Sequence, residues 1–251
     1  MDRVFVGKLA FPSANVSDRL EKTFTSVNFN MMIMVIYALI TIAIFGMWYY
    51  ARYEGNFLPS PKKTFNPMMI VAIVILVPGT QFAANFIANL TGYIRPDWLQ
   101  QYNELFETSG ITDTTFVTVL YSVILAPICE ELIFRGVTMR CARKALPFAL
   151  ANLIQAALFG LFHLNWIQGI YAFALGIVLG YVCERGGSIY YSIGLHLLFN
   201  LWGTLSGFFP DPGNSVVIFV IVIAVTIVSL VVGFVLFNKG RRKLPINSTG
   251  I

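Results

Sequence analysis

The sequence has few charged residues: Asp, Glu, Lys and Arg make up 12% of its 251 residues, whereas 57% are hydrophobic. Because a soluble domain has about 25% charged residues, this composition excludes an ordinary soluble globule. Cysteine is also scarce, and Cys129, Cys141 and Cys183 show no C-x-x-C spacing. They are therefore interpreted as small apolar packing residues and not as a redox pair.

The sequence contains long hydrophobic segments that could span a membrane. A hydrocarbon core about 30 Å thick needs about 20 apolar residues in a helix, and seven segments qualify as spans or near-spans. The fold class is therefore predicted to be all-α, a polytopic integral membrane helical bundle with about seven transmembrane helices. The second run contains Pro78-Gly79-Thr80, which predicts a kink or break. The seven predicted helices cover residues 31–50, 68–93, 116–143, 147–165, 166–182, 189–208 and 216–237.

The loop charges predict an orientation. Basic residues follow the first span, the third span and the last span, and by alternation these three segments lie on one side, which should be cytoplasmic. Four basic residues of the N-terminal tail then fall on the other side, which conflicts with the rule and makes an eighth helix or a membrane-surface segment the alternative. Basic loops beside anionic lipid account for the pI of about 9.2 without a nucleic-acid partner.

Ionisable residues inside the spans are few, and each is a functional candidate because charge at bilayer depth costs about 2.5 to 3.5 kcal/mol. They are Glu130, Glu131, Arg135, His163 and His196, and the last two are the only histidines in the sequence. Glu131 and Arg135 are four apart, in the order that favours a helical ion pair. Glu130 points about 100° away, although a purely structural pairing of both acids with Arg135 stays the alternative.

Two further pairs have helical spacing, Phe159 with His163 and His196 with Asn200. Taken singly, either histidine is explained by a hydrogen bond to a neighbouring helix. Their depth in the membrane suggests that they lie near each other. A rise of 1.5 Å per residue places Glu130 about 20 Å and His163 about 24 Å from the turn that they share. By the same rise, His196 lies about 12 Å and Asn200 about 18 Å from that surface.

A carboxylate, two imidazoles and an amide in one water-accessible cavity can carry out hydrolysis. Water held by Glu130 and His163 would attack a carbonyl carbon. His196 and Asn200 would donate hydrogen bonds to the oxyanion that develops. These four residues are the predicted catalytic set.

The same residues carry a family resemblance. Residues 130–135 read E-E-L-I-F-R, residues 159–163 match F-x-x-x-H, and residues 196–200 match H-x-x-x-N. In this order the three motifs resemble those of the CAAX protease and bacteriocin-processing family, also called CPBP or Abi. The similarity extends from about Phe116 to Leu201 and implies an intramembrane endopeptidase with an all-helical core. It implies the catalytic roles given above, with Glu131, Arg135 and Phe159 as supporting residues.

The resemblance divides the chain into four segments. Residues 1–30 are predicted to be a tail or interfacial segment, 31–110 accessory transmembrane helices and a loop, 111–209 the catalytic core, and 210–251 the last helix with a basic cytoplasmic tail. We expect no cofactor and no metal, with zinc as the alternative, since two His and a Glu could bind it. The oligomeric state is not predicted.

The expected function is hydrolysis of a peptide bond in a bacteriocin or pheromone-type precursor or another membrane-associated substrate. The expected partners are a peptide or membrane-protein substrate and the lipid bilayer, in a bacterial cell membrane. The alternatives are a non-proteolytic scaffold or regulator of a signalling partner and a proton-coupled transporter, because intramembrane Glu and His also form proton relays.

Overall fold

The computed structural model describes residues 27–54, 65–109, 115–206 and 215–241, and these ranges are helical except for short connections. They contain eight helices. Their bounds are α1 Val27–Tyr49, α2 Pro67–Ile94, α3 Pro96–Ser109, α4 Phe116–Arg143, α5 Phe148–Phe162, α6 Trp166–Gly186, α7 Ile189–Ser206 and α8 Val216–Gly240.

The all-helical membrane bundle is confirmed. Each of the seven predicted spans is a helix, and α1, α2, α4, α6 and α8 are long and apolar enough to cross a membrane. The other two predicted spans are different. Helix α5 is apolar but has only 15 residues, about 22 Å of rise, and α7 carries His196 and Asn200 in its 18 residues.

Helix α3 was not predicted. It lies in the segment that was predicted from the sequence to be a loop. Helix α3 contains many polar residues, so it is not an apolar run of the kind that predicted the other helices. Pro96 and Asp97 suit the first turn of a helix, and a hydrogen bond from Arg95 lowers the pKa of the Asp97 carboxyl. The helix packs against α2 and α6. The suggested eighth helix in the N-terminal tail falls on residues 1–26, outside the described residues.

Helix α2 is central to the bundle. It packs along α8 and also contacts α6 and α7. The main core joins fully buried residues of these helices, among them Leu76, Leu179, Leu195 and Phe237. A second core packs Tyr49, Leu132, Met139 and Ile189 together between the ends of α1, α4 and α7. The outward faces of α1 and α8 remain apolar and exposed, as expected for helices in contact with lipid.

Of the kink or break predicted at Pro78, the break does not occur, since α2 is helical from Pro67 to Ile94. A hydroxyl from α8 is inserted into the hydrogen-bond ladder instead. The Gly79 N–H donates to Ser229 Oγ at 2.9 Å, and the Ser229 hydroxyl donates to the Ile75 carbonyl. In a regular helix these two backbone groups would bond to each other. Ser229 therefore lets the helix continue past proline and ties α8 to α2.

The serine bridge predicts a loss of stability in Ser229→Ala. Alanine leaves a buried N–H and a buried carbonyl without this partner, which should cost about 1 to 3 kcal/mol. Thermal unfolding of the detergent-solubilised protein measures the loss. Thr226→Ala is the matched control, because the Thr226 hydroxyl bonds only to the Val222 carbonyl of its own helix. Equal stability of the two variants would contradict the bridging role.

Candidate active site

Helix α4 carries the two glutamates and departs twice from regular α-helical geometry. Residues 120–125 and 132–139 are π-helical. In the first π segment the Ala126 N–H donates to the Tyr121 carbonyl, and Pro127 has no N–H to donate. The Ser122 carbonyl is thereby left for another donor, and Asn200 Nδ2 donates to it at 2.8 Å. A local defect in α4 thus orients the Asn200 amide on α7.

Glu131 and Arg135 form a completely buried ion pair. Arg135 Nη1 donates to Glu131 Oε1 at 2.8 Å, as the spacing of four residues predicts, and neither side chain is exposed. Arg135 Nη2 also donates to the Gly176 carbonyl on α6 at 3.2 Å. The guanidinium lies 4.5 Å from the centre of the Phe159 ring, in the range of a cation–π contact. Three helices therefore converge on one buried arginine.

His196 lies between the two glutamates. Its Nδ1 is 2.9 Å from Glu131 Oε1, and its Nε2 is 3.6 Å from Glu130 Oε2. Because the Glu131 carboxylate is paired with Arg135, it acts as an acceptor, and Nδ1 carries the proton. Arg135, Glu131 and His196 thus form a chain that fixes the imidazole ring and directs Nε2 toward Glu130. The spacing of residues along single helices did not predict this interhelical contact.

His163 lies at the end of a helix and not within a span, which corrects the predicted helix 147–165. Helix α5 ends at Phe162, His163 is its C-cap, and Leu164 has a φ of 52°. Asn165 then caps α6 by accepting from the Gln168 N–H. His163 Nδ1 is 2.8 Å from the Phe159 carbonyl. Since a carbonyl can only accept, Nδ1 bears the hydrogen, and a neutral ring has its lone pair on Nε2.

All four predicted catalytic residues line one cavity of about 920 Å³. Phe159 stands between the two histidines, with its ring centre 5.0 Å from that of His163 and 5.7 Å from that of His196. The cavity brings together Glu130 of α4, His163 of α5, and His196 and Asn200 of α7. Their catalytic roles stay predictions, whereas their convergence is a property of the fold.

Three contributors to this site, Pro127, Gln81 and Asn85, were not predicted from the sequence. Pro127 acts through the Ser122 carbonyl that it leaves free. Gln81, on the wall of the cavity, is 7% exposed, and its amide is 3.4 Å from Asn85 Oδ1. Gln81 and Asn85 are polar but not ionisable, so they were not among the charged candidates. Polar residues in an otherwise apolar run are themselves a signal of a functional site.

Comparison with known proteins gives one match. Residues 112–202 match the family model for Type II CAAX prenyl endopeptidase Rce1-like. This segment of the chain belongs to the CPBP family. The match covers roughly a third of the chain, from just before α4 to the last turns of α7, and agrees with the extent that the three motifs indicated. No curated protein and no solved structure matches the chain.

The CPBP domain implies an intramembrane endopeptidase and contains every residue of the predicted site. The structure shows where each of the three motifs places its residues. The acidic motif supplies Glu130 to the cavity and the buried pair of Glu131 with Arg135. The second motif places Phe159 against Arg135 and His163. The third motif places His196 and Asn200 on one face of α7, within reach of α4.

Zinc was the alternative to a metal-free site. Within the described residues, no three or more His, Cys, Asp and Glu side chains form a group that could hold a metal ion. The Nδ1 atoms of both histidines are already engaged, by Glu131 and by the Phe159 carbonyl. A hydrogen bond at Nδ1 leaves Nε2 of each ring available as a ligand, so the metal-free site stays a prediction.

The buried ion pair predicts that Arg135→Met is strongly destabilising. Removal of one partner leaves the Glu131 charge buried without compensation, which costs about 3 to 5 kcal/mol. Arg143→Met is the matched control, since Arg143 and Glu184 form a pair that is 36% and 30% exposed, where the expected cost is below about 1 kcal/mol.

Unfolding midpoints in detergent compare the two variants. The double variant Glu131→Gln, Arg135→Met should recover part of the loss, because no unpaired charge remains. If Arg135→Met is as stable as Arg143→Met, then the pair does not organise the core.

Proposed function

We propose that this chain is an intramembrane endopeptidase in which Glu130 and His163 activate water while His196 and Asn200 stabilise the oxyanion. The observation that carries the proposal is the convergence of these four side chains on one cavity within the bundle. The CPBP domain supports the reaction class. We assign the roles from the hydrogen-bond donors and acceptors of each side chain that are not used by hydrogen bonds within the protein.

His163 and Glu130 are the acceptors in this arrangement. With its Nδ1 hydrogen donated to the Phe159 carbonyl, a neutral His163 offers a lone pair on Nε2. An ionised Glu130 offers carboxylate oxygens, so the two groups can hold one water by its hydrogens. Water oxygen attacks the carbonyl carbon as its proton passes to Glu130. When the tetrahedral intermediate collapses, the C–N bond breaks and Glu130 returns the proton to the leaving nitrogen.

His196 and Asn200 are the donors. Asn200 Nδ2 uses one hydrogen on the Ser122 carbonyl, which leaves its second hydrogen for an oxyanion. His196 can donate from Nε2 only when its ring carries both protons, because Nδ1–H is held by Glu131. Because Glu131 already neutralises Arg135, the ionised Glu130 beside Nε2 supplies the countercharge to the imidazolium. The 3.6 Å between Nε2 and Glu130 Oε2 places this donor beside the proposed base, where the reacting carbonyl would lie.

The proposed substrate is a peptide of the bacteriocin-precursor or pheromone-precursor type, or another membrane-associated segment. A cavity of about 920 Å³ lies at the upper end of the size that ligand sites have, and so it can hold several residues of an extended chain. Its wall combines aromatic side chains with amides and hydroxyls. We place the protein in a bacterial cell membrane, as a multi-pass protein with its C-terminus in the cytoplasm.

The proposal predicts that Glu130→Gln abolishes peptide release. The amide keeps the shape of Glu130 but cannot accept a proton, which should lower turnover by about 10²- to 10⁴-fold. Glu184→Gln makes the same chemical change at a glutamate paired with Arg143, remote from the cavity, and should remain active. Mass spectrometry of peptides released by cells that express each variant at matched levels provides the measurement.

Those peptides also identify the substrate, if they disappear in Glu130→Gln and persist in Glu184→Gln. An unchanged peptide pool, together with full rescue of a deletion phenotype by Glu130→Gln, would replace proteolysis with the scaffold or regulatory function.

A metal-free reaction predicts that cleavage survives removal of zinc. Purified protein dialysed against a strong chelator should keep its turnover, because the four side chains and water suffice for the proposed steps. Metal analysis of the dialysed sample supplies the control. Loss of turnover that added zinc restores, while other divalent ions do not, would show that the zinc alternative is correct.

A further inference from the structure

The two ends of the bundle differ in charge. One end, the basic end, comprises the described residues 52–54, 65–66, 140–147, 184–188 and 239–241, which hold seven basic and two acidic residues. The described residues at the other helix ends, namely 27–30, 94–109, 163–166, 206 and 215, hold one basic and three acidic residues. Such an asymmetry places the basic end in the cytoplasm, although the N-terminal tail by itself is slightly basic.

Contacts between helices show that the basic segments meet at one end. Asn66 Nδ2, just before α2, donates to the Gly240 carbonyl at the end of α8 at 2.5 Å. Arg140 Nη2, near the end of α4, donates to the Tyr49 hydroxyl at the end of α1 at 2.9 Å. The ion pair of Arg143 with Glu184 joins α4 to the end of α6. The contacts between helices therefore place these basic segments at the same end, as the alternating direction of successive helices also predicts.

The cavity extends toward the opposite end. From Glu130 and His196 in the middle of the bundle, its wall runs to residues that lie near the other helix ends. These are Thr118 near the start of α4, His163 at the end of α5, Gln168 near the start of α6 and Ser206 at the end of α7. The stacked rings of Trp98 and Trp166, 5.3 Å apart, mark the same end, where tryptophan favours the membrane interface.

The half of the bundle next to the basic end is filled. The core of Tyr49, Leu132, Met139 and Ile189 lies there, and the buried pair of Glu131 and Arg135 separates it from the cavity. Helix α3 contributes Tyr102 and Leu105 to the cavity wall at the opposite end. Among the described residues, the cavity therefore extends from Glu130 toward the end that carries α3, whereas the side chains between Glu130 and the basic end are packed.

We propose that the active-site cavity opens to the extracytoplasmic face and that the substrate is a peptide segment presented there. This inference rests on the proposed peptidase function. A secreted peptide or the outer portion of a membrane protein fits such a cavity, whereas the terminus of a cytoplasmic protein would have to enter through the packed half. The proposed peptidase would then cleave peptide segments after they have crossed the membrane.

Two glycines on α7 provide matched probes of the opening. Gly203 lines the cavity, and an added Cβ would meet its nearest neighbour, Gln81 Nε2, at 3.9 Å. Gly194 lies on the same helix nearer the basic end, has no neighbour within 4 Å of an added Cβ, and does not line the cavity. Cys141 is exposed at the basic end, whereas Cys129 and Cys183 are buried. Cys141 thus reports on the cytoplasmic face.

The experiment treats intact cells with a small, membrane-impermeant, cationic methanethiosulfonate reagent. In a Cys141→Ser background, Gly203→Cys should react roughly tenfold faster than Gly194→Cys, because the thiol must be ionised and reachable from water. In the wild-type protein, Cys141 should react only after the cells are permeabilised. The Cys141→Ser parent gives the background from the two buried cysteines.

Reaction of Gly203→Cys only from the inner face, measured in inverted vesicles, would overturn the proposal, as would reaction of Cys141 in intact cells. Labelling requires no turnover, so it tests the opening independently of proteolysis. Failure of the peptidase proposal would appear instead as an unchanged peptide pool in Glu130→Gln, with the labelling pattern intact.

Discussion

The cost of burying the Arg135 guanidinium constrains the centre of this protein. A full charge at bilayer depth is tolerated only when it is paired and hydrogen-bonded, and Arg135 is supplied with a carboxylate from its own helix, a carbonyl from α6 and an aromatic face from α5. Because the carboxylate also holds His196 of α7, the requirement to neutralise one charge fixes four helices relative to one another. The geometry of the candidate site follows from that arrangement.

Two helices use interruptions of their own hydrogen-bond ladders to bind their neighbours. In α4, Pro127 and a π-helical turn leave the Ser122 carbonyl for Asn200. In α2, residues around Pro78 leave a backbone N–H and a carbonyl for Ser229. Unpaired backbone groups inside a membrane protein must find partners within the protein. Each interruption therefore becomes a specific contact between helices, and one of them orients a side chain of the site.

The site divides the molecule into two functional halves. Toward the basic end, the chain packs apolar side chains around Arg135 and excludes water, which strengthens the electrostatic interactions of Glu131 and His196. Toward the opposite end, polar and aromatic residues border a cavity that reaches Glu130 and His163. The proposed hydrolysis requires both properties, namely a rigid charge network and an aqueous route to it. The buried pair of Glu131 and Arg135 lies between the packed core at the basic end and the cavity.

The sequence by itself determined which residues are candidates for the site and which of them lie on one helix face. Scarcity of charge singled out Glu130, Glu131, Arg135 and both histidines, and the period of 3.6 residues paired Glu131 with Arg135. Only the tertiary structure decided that His196 bonds to Glu131, that Asn200 bonds to Ser122, that α5 ends before His163, and that α3 is a helix. Periodicity relates residues within a helix, whereas contacts between helices depend on rotation, tilt and interrupted backbone hydrogen bonds, which the packing of the whole bundle sets.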